Sequence, residues 1–240
     1  KPGWCDALNG LPGLFGSSTH EAFALSRWVG FVRRAVDAHL QPAESLALPV
    51  EVDRLVRKVT EVLATADPAD FFPSWDRLAT AREAFRAETL SGIAGDETAL
   101  PADALRRFLD TVDRVLRAGL ARAVDAAGLP VSYYTHDLVA FDVLPAVAPV
   151  PGDDGPATVH VRARRFEHKP LPPFLEGAVH ALRSCPDVAT ARRLHEAVRA
   201  SALHDAPLGM YRVNAPLDAE SFDIGRSRVF SPGWLENESI

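Results

Sequence analysis

Apolar residues recur along this chain at two different periods, and the change of period divides it. From Ser18 to Leu120 the period is helical. The spacing predicts a first helix that opens at a capping box formed by Ser18 and Glu21. That helix carries Leu25, Trp28, Val29, Val32 and Val36 on one stripe and closes at Pro42. A second helix carries Val52, Leu55, Val56, Val59, Val62 and Leu63 and stops at Asp67-Pro68. A third is predicted from near Ser74 to about Ser91, ahead of Gly92 and Gly95. A fourth opens with Pro101 in its first turn and aligns Leu105, Phe108, Leu109, Val112, Val115, Leu116 and Leu120. Gly128 and Pro130 close it.

The period then shortens. Val131 to Leu144 is rich in Tyr, Val, Phe and Leu. From Thr158 to Arg164, Val159, Val161 and Ala163 alternate with His160, Arg162 and Arg164. Pro, Gly and Asp cluster between these runs, from Pro145 to Pro156. The pattern predicts two strands of a hairpin-like insertion spanning 131–168. Helices resume at about Pro173 to Ser184 and Pro186 to Leu203, and the segment from Pro207 to Ile240 has little periodicity. No sequence repeat of solenoid type is visible. The expected class is mainly α with one small β element, a reading that a helical barrel and a helical bundle satisfy equally.

Composition narrows the function classes. With 240 residues, 47% hydrophobic and 24% charged, the chain has an ordinary globular composition. A net charge of −6 and the lack of a basic stripe with interleaved aromatics argue against a nucleic-acid face. No run approaches the roughly 20 apolar residues that span a bilayer. Cys5 and Cys185 form neither a metal spacing nor a disulfide framework, so a reducing, cytoplasmic setting is expected. Both ends read as cuts, and 1–240 is expected to be one partial catalytic domain truncated on both sides.

Two short segments could carry chemistry. Trp4-Cys5-Asp6 precedes a Gly-rich loop, Asn9-Gly10-Leu11-Pro12-Gly13. An indole can stack on a sugar ring, and a partly desolvated carboxyl such as Asp6 can donate a proton near neutral pH. Equally, Asp6 can cap a turn while Trp4 packs in a core. At the other end, Glu236-Asn237-Glu238 follows Pro232-Gly233-Trp234. These acids could accept hydrogen bonds from sugar hydroxyls, or simply favour the start of a helix. Arg226 and Arg228 could hold an anion, or stand as a solvated pair. Glu167-His168-Lys169 and the scattered His20, His136, His180, His195 and His204 make no metal spacing, and Ser17-Ser18 has no nearby base.

Together the end segments resemble the cellobiose phosphorylase family of inverting glycoside phosphorylases. Trp4-Cys5-Asp6-Ala7-Leu8-Asn9-Gly10 resembles that family's Trp-Asn-Asp-x-x-Asn segment. Pro232-Gly233-Trp234-Leu235-Glu236-Asn237-Glu238-Ser239-Ile240 resembles its Glu-Asn-Gly-x-Ile segment, and the two occur in the same order. The phrases Leu171-Pro172-Pro173-Phe174-Leu175-Glu176-Gly177 and Met210-Tyr211-Arg212-Val213-Asn214-Ala215 look typical of a cellobiose-phosphorylase-like branch. The resemblance implies an (α/α)6 barrel of which this chain forms about half. It makes Asp6 the general acid that protonates the glycosidic oxygen. Trp4 would line the sugar site, and Glu236 would contact substrate near the acceptor sugar. The family's phosphate-binding His would fall just beyond Ile240, and the arginine and acid that grip the donor sugar would precede Lys1.

The implied chemistry is self-consistent. Inverting hydrolysis needs an acid for the leaving group and a base to activate water. Phosphate is already an anionic nucleophile, so phosphorolysis needs one acid and a cationic cradle. The expected reaction cleaves a β-linked oligosaccharide with inorganic phosphate as co-substrate and yields an α-sugar 1-phosphate. No cofactor, metal, nucleic acid or membrane is expected, and homodimerisation of the parent protein is left open. An inverting hydrolase on the same barrel and a non-catalytic carbohydrate-binding segment are the alternatives. Two positions depart from the family: Cys5 stands for the usual Asn, and Glu238 for the usual Gly. The isolated segment is expected to be inactive and to expose apolar helix faces.

Overall fold

A computed structural model describes residues 17–67, 70–145 and 159–216. Among these the chain runs β1 (Ser17–Ser18), α1 (His20–His39), β2 (Ser45–Pro49), α2 (Val50–Ala64), α3 (Phe72–Thr89) and β3 (Glu97–Pro101). It continues through α4 (Ala102–Arg122), β4 (Tyr133–Val143), β5 (Val161–Pro170), α5 (Leu175–Ser184), α6 (Val188–Ala200), β6 (His204–Asp205) and β7 (Met210–Tyr211). Helices dominate, accompanied by small antiparallel sheets, and the described helices do not close into a barrel.

The helical stripes meet in two apolar clusters. Val29 and Val36 of α1 pack with Leu100 of β3 and with Leu105 and Leu109 of α4, and Val56 of α2 borders them. A second cluster joins Leu129, Leu175 and Ala178 of α5, Val198 of α6, and Leu203. Each fully buried Leu or Val contributes roughly 1.5–3 kcal/mol relative to exposure. Helix α1 packs on both α4 and α5, so it links the two clusters, while α3 packs chiefly on α2.

Two features depart from the sequence expectation at α1. The helix begins after Thr19, which makes no side-chain cap; the Ser18 hydroxyl donates to Glu21 and the Thr19 hydroxyl donates instead to Val131 O at 2.6 Å. A tertiary partner has displaced the local capping box. Leu25 and Trp28, placed on the buried stripe by spacing, are exposed, because α4 and α5 cover only the side of α1 bearing Phe23, Val29 and Val36.

Strands β2 and β3 went unread in the sequence. They pair antiparallel from Ser45↔Pro101 to Pro49↔Glu97. Each runs into a helix through the same tripeptide, Ala47-Leu48-Pro49 before α2 and Ala99-Leu100-Pro101 before α4. Both prolines are extended, with ψ of 137° and 140°, and their fixed φ sets the helix start. The ribbon closes reciprocally: Val50 N–H donates to Asp96 O at 3.1 Å, and Ala102 N–H donates to Glu44 O at 2.9 Å. This strand–proline–helix repeat is local and builds no solenoid.

The long hairpin lies where expected. β4 and β5 pair antiparallel from Tyr134↔Pro170 to Val143↔Val161, with irregular register around Ala140, and β1 extends the sheet beside β4. Its second strand continues past Arg164 to Pro170. The turn between α4 and β4 is built by Asp125, whose Oδ1 accepts Ala127 N–H at 2.9 Å and Leu129 N–H at 2.8 Å. Gly128 lies at φ +83°, a conformation that disfavours any side chain. Helix α6 is capped by Asp187, which accepts Thr190 N–H at 2.8 Å.

Candidate functional site

Four segments distant in sequence converge where β4 begins. Thr19 N–H donates to Ser132 O at 2.9 Å, and Leu171 N–H donates to Tyr133 O at 3.0 Å. Leu175 N–H donates to Val213 O at 2.8 Å, and Ala215 N–H donates to Pro173 O at 2.7 Å. Phe174 and Asn214 form an isolated antiparallel bridge, which is why α5 starts at Leu175 rather than at Pro173. The two internal phrases 171–177 and 210–215 are therefore hydrogen-bonded neighbours. Buried backbone polar groups need such partners, and here the segments supply them to one another.

Ser132 and Gly177 fix the spacing of this junction. The Ser132 hydroxyl donates to Phe174 O at 2.8 Å and accepts Gly177 N–H at 3.0 Å. A Cβ on Gly177 would lie 2.3 Å from Ser132 Oγ and 3.2 Å from its Cα. Glycine is required there by close approach.

Ionisable side chains gather on this frame. The Tyr133 hydroxyl, fully buried, donates to Glu176. His20 is 2% exposed, and its Nε2 lies 3.4 Å from Glu21 Oε1 and 3.7 Å from Glu176 Oε1. Tyr133 meets His20 edge-on at 5.9 Å and Phe174 at 4.9 Å. The His180 ring lies 5.5 Å from that of His20. Burial lowers the His180 pKa below its ordinary value, helped by its neighbours His20, Arg183 and Arg27 and opposed by Glu21. An imidazole between two carboxylates, one of them accepting from a phenol, has both acids within reach of Nε2. Glu21 is partly exposed and forms the solvent side of the cluster.

A second ring cluster stands on the hairpin. His136 and His168 are cross-strand partners, their rings 6.4 Å apart. Tyr134 contacts His168, and Phe166 contacts Phe72 and Trp75 at the start of α3. Burial and the neighbouring His168 lower the His136 pKa. His195 Nε2 lies 2.9 Å from the Tyr211 hydroxyl and so ties α6 to the β6–β7 ribbon, within which His204 meets the same ring at a 43° tilt. Cys185 lies over Ala181 O at 3.4 Å, and burial raises its pKa, which leaves it a weak nucleophile. Among the described residues no group of three or more His, Cys, Asp or Glu side chains is arranged to hold a metal ion. Among them too, no helix is long and apolar enough to cross a membrane.

The sequence candidates Trp4, Cys5, Asp6, Arg226, Arg228, Glu236, Asn237 and Glu238 lie outside the described residues. Of the histidines, the fold unites His20 with His180 and His136 with His168, and keeps the pairs on different elements. Tyr133 and Glu176 were not singled out by spacing, and Glu21 only as the capping-box partner of Ser18, since the three come from segments that only the tertiary structure joins. Two local signals pointed toward them: Ser18 with Glu21, and the Phe174-Leu175-Glu176-Gly177 phrase. Searches against protein-family models and against curated proteins gave no match.

Proposed function

We propose that this chain is a segment of the catalytic domain of an inverting glycoside phosphorylase, built on an (α/α)6 barrel of which it forms about half. The parent protein cleaves a β-linked oligosaccharide with inorganic phosphate and releases an α-sugar 1-phosphate. Asp6 protonates the leaving oxygen, Trp4 lines the sugar site, and Glu236 contacts substrate near the acceptor. No cofactor enters the reaction, and the setting is cytoplasmic. The single observation that carries this reading is the ordered pair of motifs, Trp4-Cys5-Asp6 ahead of Glu236-Asn237. The direct pairing of the 171–177 and 210–215 phrases, which share the same resemblance, supports it. Paired helices joined by long loops and ribbons also suit a helical barrel. The His20–Glu176–Tyr133 cluster acts as a positioning group that holds the start of α1.

Sugar 1-phosphate release by the full-length parent tests the proposal. Turnover is expected to require phosphate, and Asp6→Asn is expected to lower kcat on unactivated glycosides by roughly 10²–10⁴-fold, the usual worth of a general acid. Cleavage that proceeds equally well without phosphate would instead establish a hydrolase. Unchanged turnover in Asp6→Asn, or no turnover on any glycoside, would leave the carbohydrate-binding alternative.

A further inference from the structure

Helix α1 carries Arg27, Phe31 and Arg34 at i, i+4 and i+7, one face of a 3.6-residue helix, with Trp28 beside them. Arg183 from the last turn of α5 and Arg117 from α4 complete an open cleft of about 650 Å³. That size lies within the range of small-molecule sites. Its charge is one-sided. The chain has 32 acidic against 26 basic side chains, yet among the described residues no Asp or Glu lines this cleft. Arg117 pairs with Asp113 on its own helix, and several arginines elsewhere also have carboxylate partners, as in Arg33–Asp110, Arg54–Glu88 and Arg57–Asp53. Arg27, Arg34 and Arg183 form no ion pair among the described residues, and the field of Arg27 and Arg183 reaches as far as His180.

The same cleft presents a ring face. Trp28 is 64% exposed, and Phe31 meets it edge-on at 5.7 Å and 89°, which steadies the indole without covering it. At the floor is Gly30, in the interior of a helix, where glycine costs about 1 kcal/mol relative to alanine. A Cβ there would come 3.5 Å from Arg34 Nη1, and any longer side chain would project into the cleft.

We propose that this cleft binds a phosphate monoester carried on a ring, with the phosphate held by Arg27, Arg34 and Arg183 and the ring laid on Trp28. A monoester carries a charge of about −1.5 to −2 and three acceptor oxygens, which three guanidinium groups can satisfy. A sugar ring and a nucleobase both offer a flat face to an indole. The site does not depend on the phosphorylase reading, and its test needs no turnover.

The 240-residue chain is titrated with inorganic phosphate, a hexose 6-phosphate and a nucleoside monophosphate, followed by calorimetry and tryptophan fluorescence. At least one monoester is expected to bind roughly tenfold or more tightly than inorganic phosphate, and to weaken as salt rises. The tighter of the two identifies the ring. Arg34→Ala and Gly30→Leu are each expected to weaken monoester binding by roughly tenfold, while Arg107→Ala, on the exposed side of α4, changes it less than about twofold. Trp28→Ala, at an exposed position that folding does not need, is expected to remove the preference for the monoester and spare inorganic phosphate. Absence of saturable monoester binding overturns the proposal. So does equal affinity for inorganic phosphate, or binding that Arg34→Ala and Trp28→Ala leave unchanged.

Discussion

Strand β4 begins inside the protein and ends in water, and its two ends are held by different physics. At its start, Tyr133 is wholly buried; Thr19, Leu171, Phe174 and Gly177 are tied to it or to Ser132 by backbone and hydroxyl hydrogen bonds, and the 213–215 segment is tied in turn to Pro173 and Leu175. At its far end Val143 is 65% exposed. The outer hairpin is decorated with surface ion pairs, Lys169–Asp137, Arg164–Asp142 and Arg165–Glu167. Asp137 even lies directly opposite Glu167, a like-charge pairing that Lys169 relieves. Buried hydrogen bonds cost heavily when broken, because the abandoned partner cannot turn to water, whereas exposed ion pairs exchange readily with solvent. The junction should therefore govern stability, and the outer hairpin should tolerate change.

The largest expected effect breaks the closest approach. Gly177→Val drives a branched side chain into Ser132, and overpacking of this kind should cost about 3 kcal/mol in urea unfolding. A loss under about 1 kcal/mol would show that the junction yields. Next comes Tyr133→Phe, which removes the donor to Glu176 while keeping the ring, and is expected to cost roughly 1.5–3 kcal/mol. The matching change in the hairpin, Lys169→Met, removes an exposed pair and should lower the melting temperature by less than about 3 °C. Equal effects of the two changes would erase the distinction between the ends.

The smallest effect concerns pH. His180 and His136 both have pKa values lowered from 6.5, chiefly by burial, so the fold prefers each neutral ring. Their contribution is complete above pH 6.5 and is lost as acidification passes through the lower folded pKa, because the unfolded chain takes up the proton first. Thermal melts between pH 7.5 and 5 are expected to show declining stability. His180→Gln should flatten that slope more than His136→Gln, because His180 also faces His20, Arg183 and Arg27. A slope unchanged by both substitutions would assign the acid sensitivity to other groups.

Much of the helical framework was legible in the sequence because each helix buries one stripe, and a stripe leaves a 3.6-residue signature. Ends were harder to read. α5 starts late because Phe174 pairs with Asn214, and α6 stops at Ala200 instead of Leu203, where the chain turns into β6. The β2–β3 ribbon escaped notice because five-residue strands that are largely exposed leave little alternation, although the twin Ala-Leu-Pro tripeptides marked both. Asp6, Trp4 and Glu236 were read from motif alone. The His20–Glu176–Tyr133 cluster had no motif, since its members share no local segment.

By itself, then, the sequence determined the predominance of helices, the hairpin, and the ordered end motifs that suggest a carbohydrate chemistry. These are properties of periodicity and of adjacent residues, both local in the chain. Tertiary structure alone decided which acid meets which histidine. It also decided that Ser18 would not cap α1, that Trp28 would face outward, and that Arg27, Arg34 and Arg183, from two helices, would share one cleft with no ion pair of their own among the described residues. Those outcomes depend on which surfaces cover one another, and coverage is set by packing between segments far apart in the chain.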